Sequence, residues 1–193
     1  NTAVGSLTLD ANTTGSHNTA LGYGAMSATT TGSFSTAVGR EALGVHTTGA
    51  DNTAVGYACM QDLTTGTNNV AMGTTALANL TTTAGNTAIG KSALGASVTG
   101  SYNTALGYLS LTACLDGGNN IAVGHNALTA NTSGANNVAL GTNALLANTS
   151  ATGNIAVGYN SLDANTTGAS NTSVGYYALS ANVTDAHNTA IGN

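Results

Sequence analysis

Asn1, Asn18, Ser35, Asn52, Asn69, Asn86, Asn103, Asn120, Asn137, Asn154, Asn171 and Asn188 open the same short phrase, each 17 residues after the last. The 193 residues hold eleven full repeats and a 6-residue start of a twelfth, with no insertion or deletion. Counting positions 1 to 17 from each of these residues, the consensus is N-T-A-φ-G-Y-x-A-L-x-A-N-T-T-G-x-x, with φ aliphatic. Units that recur at so strict a period stack, each offering the next the same surface, and the core runs along the stack rather than within one unit.

The positions differ in what they accept. Position 5 is Gly in all twelve copies, position 4 is Val, Leu, Ile or Met, and position 9 is Leu or Met. Position 3 is Ala except at Ser173, and position 8 is always small. Seventeen residues are too few for a pair of helices, which takes more than about 30. Positions 1 to 5 alternate as a strand does, with positions 2 and 4 on one face and positions 1, 3 and 5 on the other. A second short strand is predicted over positions 8 to 11, A-L-x-A, facing the first, with the aliphatics of positions 4 and 9 as the core. Gly at position 5 permits a bend that a Cβ would obstruct, and N-T-T-G at positions 12 to 15 supplies the second turn. The expected fold is all-β: a β-solenoid, or parallel β-roll, of about 11 coils with two short strands per coil. Residues 1–193 form a single repeat domain, read as a segment of a longer fibre protein.

Two large aliphatics cannot offset the entropy of ordering a whole coil. Backbone ladders between coils, stacked Asn and Thr rows and other chains are the expected sources of the remainder. The small residues at positions 1, 3 and 5 would let another backbone approach, and this predicts a homo-oligomer, a trimer before a polymer.

The N-T-A-V-G strand resembles the S-V-A-I-G repeat in the heads of trimeric autotransporter adhesins. Runs of N-T-A-φ-G-Y-x-A-L are also similar to repeat regions of phage tail fibres and large bacterial surface proteins. The likeness covers the whole chain, although the adhesin repeat is shorter than this one. It implies a fibre at a cell surface, on a virion or otherwise outside the cell, trimeric in the adhesin case.

Composition removes several classes of function. Only 5% of residues are charged, and Arg40 and Lys91 are the only basic side chains, too few for a nucleic-acid footprint. Apolar runs are a few residues long, far from the ~20 needed for membrane insertion. Within a solenoid two residues meet only if coil and position both match, and that test disposes of most catalytic arrangements. His17 and His187 fall at position 17, His46 at position 12 and His125 at position 6, with no two on adjacent coils; all four are expected as solvated turn residues. Neither a metal site nor a histidine-based centre follows. Asp10, Glu41, Asp51, Asp62, Asp116, Asp163 and Asp185 offer no close pair for acid–base chemistry. Cys59 and Cys114 lie three coils apart, roughly 14 Å, beyond the ~7 Å reach of a disulfide. No catalytic residue, metal or cofactor is expected.

Two surface rows remain. Position 6 gathers Tyr23, Arg40, Tyr57, Lys91, Tyr108, His125, Tyr159 and Tyr176, a candidate contact stripe that can stack on sugars of host-surface glycans or on a partner fibre. N-x-[ST] sequons at position 12, Asn12, Asn131, Asn148, Asn165 and Asn182, are candidates for a row of glycans, although turns use Asn and Thr on their own account. The function expected is a structural or adhesive extracellular fibre. The alternative is an ice-binding solenoid, weakened because the threonines sit side by side at positions 13 and 14 rather than in the T-x-T spacing of one strand face.

Overall fold

A computed structural model describes residues 1–96 and 99–193. Twelve three-residue strands, β1 (Thr2–Val4) to β12 (Thr189–Ile191), form one parallel sheet in which every strand pairs with its neighbours in sequence. The register is an unbroken 17: Ala37 pairs with Ala54 and Ala54 with Ala71. At the spacing of paired strands the sheet runs about 50 Å along the coil axis. This is the β-solenoid expected from the period.

The coil differs from expectation in its second half. Positions 8 to 11 are turns, so each coil has one strand and not two. The cause is backbone handedness. Residues at positions 7 and 9 are left-handed, as at Leu43 (φ 51°), Leu77 (φ 50°) and Asn143 (φ 58°). Position 17 is left-handed as well, at residues such as Asp51, Asn68 and Asn119, and at Gly85 and Gly153 where glycine has moved to that place. The turns still ladder. Between the third and fourth coils, Thr36 N donates to Asn52 O, Gly56 N to Val38 O, Ala58 N to Arg40 O, Leu43 N to Cys59 O, Val45 N to Gln61 O and Asn68 N to Ala50 O, all at 2.8–3.2 Å. Backbone hydrogen bonding thus runs around the whole perimeter.

The glycine of position 5 is needed twice over. Gly56 has φ 141°, and a Cβ on it would stand 2.6 Å from the Gly73 carbonyl oxygen of the next coil. No side chain fits where one coil lies this close upon the next.

The interior is the small-residue face, and this corrects two expectations. The aliphatics of position 4 point outward: Leu21, Met72 and Leu106 are 46%, 49% and 44% exposed. The alanines between them, from Ala20 to Ala156, are buried. They pack against position 9, where Leu77, Leu128 and their equivalents are buried as expected. The narrow coil has room for Ala against Leu, not for Val against Leu. The face of positions 1, 3 and 5 is therefore filled by its own coil and cannot be where another chain approaches.

Asparagine at position 1 ties each coil shut and joins it to the next. Asn103 Nδ2 donates to Gly117 O within its coil (2.8 Å), and its Oδ1 accepts from Asn120 N of the following coil (2.9 Å). The pattern recurs from Asn18 to Asn171, with Ser35 Oγ taking the acceptor role towards Asn52 N at 3.2 Å. Buried polar groups are tolerable because they are satisfied in this way. Ser173, which stands where other coils have Ala, meets Ser161 Oγ at 2.7 Å and donates to Ala178 O.

Candidate functional site: the outer faces of the rod

Among the described residues position 12 is largely an interior row, which removes the glycan reading at Asn131, Asn148 and Asn165. Asn131, Asn148 and Asn165 are fully buried, and their amide nitrogens are occupied: Asn148 Nδ2 donates to Asn131 Oδ1 (2.8 Å) and Asn165 Nδ2 to Gly168 O (2.9 Å). A glycan would need those nitrogens at the surface. Asn12 and Asn182, in the end coils, are half-buried. His46 shares the row and is likewise buried, not solvated, with Nδ1 3.2 Å from Thr29 Oγ1 and Nε2 3.5 Å from Asn52 Nδ2. Burial holds its pKa down at about 4, against a smaller opposing hydrogen bond from the ring to the Gly49 backbone. Leu63, Leu80 and Cys114 occupy the same row, and that apolar company was the signal in the sequence that position 12 faces inward.

Both cysteines are free and buried. Loss of solvation pushes their thiols up, Cys59 to about 12 and Cys114 to about 11, so neither is a nucleophile at neutral pH. Among the described residues no group of three or more His, Cys, Asp or Glu could hold a metal ion, and no helix is long and apolar enough to cross a membrane. A shallow depression is lined by Gln61, Thr75, Asn79, Ser92 and Thr112, without a titratable side chain.

The outer surface is more informative. The candidate contact residues of position 6 stand in one row on successive coils, just past the glycine bend. Arg40 lies between two rings, its guanidinium carbon 5.7 Å from the Tyr23 centroid and 5.8 Å from that of Tyr57, and pairs with Glu41 at 3.0 Å. Tyr108 and His125 stack at 5.5 Å, and Tyr159 and Tyr176 at 5.3 Å, with Tyr177 edge-on to both tyrosines. Lys91 is exposed in the same row. Coil stacking alone produces these contacts, because equal positions stand one strand spacing apart.

Beside the stripe lies a surface that sequence reasoning placed inside. The outer face of the sheet carries Thr, Val or Ile at position 2 and an aliphatic at position 4, and none of the twelve strands contains a charged residue. Val4, Leu21, Val70, Met72, Leu106 and Ile121 are each 40% or more exposed. In plan it measures about 10 by 50 Å, roughly 500 Å². With its threonines included, that area is of the order of the apolar patches that single soluble chains leave uncovered.

No protein-family model, curated protein or solved structure matches the chain.

Proposed function

We propose that the chain is a structural fibre unit that associates with copies of itself through the outer face of its sheet. The observation that carries the reading is the uncharged, half-exposed apolar row running the length of the rod. Burying apolar area favours association at about 25 cal/mol per Å², and a face without charge has no ion to desolvate. The periodicity speaks for the occupant. A partner must meet rows of side chains at every strand spacing for the whole length, and another copy of this solenoid has that period. Contact area grows with the number of coils, as in other one-dimensional repeat proteins. The likeness of N-T-A-V-G to trimeric adhesin heads and of the longer runs to tail fibres supports an extracellular, cell-surface or virion setting.

Sedimentation velocity over a range of concentrations tests this. The chain is expected to run above the 18.7 kDa of one copy, and Met72→Lys with Leu106→Lys to return it to that mass. A chain at 18.7 kDa throughout would remove the reading.

A second reading has one observation behind it. Outward threonines at position 2, such as Thr19, Thr36, Thr53, Thr87 and Thr104, stand in register beside the aliphatics of position 4. A regular array of hydroxyls and methyls is what an ice-binding face requires. Thermal hysteresis in the monomeric double variant and the parent separates the two readings.

A further inference from the structure

The aromatic stripe is not continuous, and its breaks are regular. Ser6, Thr74 and Thr142 interrupt the bulky residues of position 6, each 68 residues, or four coils, after the last. Glycine moves to position 17 in two of these same coils, at Gly85 and Gly153. In the fifth and ninth coils the missing bulk and the turn variant thus coincide.

The break at Thr142 has rings on both sides. His125 stacks on Tyr108 in the coil before it, with ring planes 12° apart. Tyr159 stacks on Tyr176 in the coil after its own, with planes 15° apart. Each ring has one face taken by a neighbour along the rod axis, so each turns its other face towards the coil of Thr142. Two strand spacings separate the walls, about 10 Å. Aromatic stacking brings centroids to roughly 4.5–7 Å. One saturated six-membered ring placed midway would touch both walls, and Thr142 would form the floor.

Alongside runs a ladder of amides. Asn126 Nδ2 donates to Asn143 Oδ1 (3.4 Å), and Asn143 Nδ2 to Asn160 Oδ1 (3.0 Å), across the same three coils. All three side chains are half-buried and keep unused donors and acceptors at the surface. Positions 5 to 7 of these coils carry no acid, lysine or arginine. The break at Thr74 is poorer, with Tyr57 on one side and Lys91 on the other, and with Thr75 and Ser92 hydroxyls bonded to each other at 3.1 Å.

We infer that the slot over Thr142, walled by His125 and Tyr159 and edged by Asn126, Asn143 and Asn160, binds one neutral pyranose ring of a glycan. The C–H faces of the sugar lie on the two rings, and its equatorial hydroxyls meet the amides. Apolar faces and polar edges on one rigid disc are what this combination recognises. With no acid, lysine or arginine at positions 5 to 7, the slot offers no ion-pair partner to an acidic or basic sugar, which favours neutral ones. The inference goes beyond the self-associating fibre reading, and its residues lie past the glycine bend and not on the sheet face proposed to associate.

Saturation-transfer NMR of the full chain with cellohexaose, chitohexaose and maltohexaose, each in turn, tests it. Transfer to the ring C–H protons of at least one is expected. Thr142→Tyr fills the slot with a residue that position 6 already carries in five coils, so the fold is kept; the signal should fall at least fivefold. Asn143→Ala should weaken binding without filling the slot, and Thr74→Tyr should leave it unchanged. No transfer to any of the three sugars, transfer that survives Thr142→Tyr, or transfer to adenosine in place of all three would overturn the assignment. Because sedimentation reads self-association separately, a failed slot and a failed fibre reading are told apart.

Discussion

At position 9 the choice of Leu or Met over Val or Ile follows from the backbone. Leu128 has φ 56° and no exposure. A left-handed residue costs about 1–2 kcal/mol, and more if branched at Cβ. Burying a leucine returns roughly 1.5–3 kcal/mol, which offsets the strain only for an unbranched Cβ. A Leu-to-Ile exchange in a core ordinarily costs less than about 1.5 kcal/mol. Leu128→Ile is expected to exceed that and to approach the ~2–5 kcal/mol of Leu128→Ala, measured as denaturation midpoints. His46 adds a pH dependence of definite sign. Its pKa is about 4 in the rod and 6.5 when the chain is open, so between these values the unfolded state binds more protons. The His46 contribution to stability is therefore level above pH 6.5, falls as pH drops towards 4, and has lost on the order of 3 kcal/mol below it. His46→Leu places in this row the residue found at Leu63 and Leu80, and denaturation at pH 7.5 and pH 4 should show the loss shrink in the variant.

The coil is the element at which sequence and structure part. Period, parallel pairing and the buried leucines could be read directly, because each follows from matching positions on successive coils. Which side of the strand faces inward could not. Alternation separates Ala20 from Thr19 and Leu21 without saying which side is inside, and greater hydrophobicity favours Leu21. The deciding fact is the coil's width, set by left-handed turns at positions 7 and 9 that leave no mark in a hydrophobic pattern. The stripe of position 6 was legible because it needs only stacking; the slot over Thr142 was not, because it shows as a missing ring. The asparagine ladder is the coil's polar fastening, and its removal leaves groups without partners. Asn103→Ala strips a donor from Gly117 O and an acceptor from Asn120 N, each worth about 1–3 kcal/mol when buried unsatisfied. Asn103→Ser should cost less, because Ser35 already serves Asn52 N at the same position. Urea midpoints should rank parent above Ser above Ala.

At the scale of the whole molecule, the described residues pack their interior within one chain and leave one outer face apolar. Alanine, leucine and asparagine rows fill each coil, and backbone bonds join each coil to the next, so the rod does not need a partner to close its core. What it leaves open is a charge-free sheet face along its length, and this is where copies should meet. The native thiols are buried and held protonated, so a single surface cysteine reports contact without interference. Leu106→Cys lies on the sheet face, and Thr48→Cys on an exposed turn away from it. Under mild oxidation at low micromolar concentration, disulfide-linked dimers are expected from Leu106→Cys and not from Thr48→Cys. Equal cross-linking of the two, or none from Leu106→Cys, would contradict association through the sheet face.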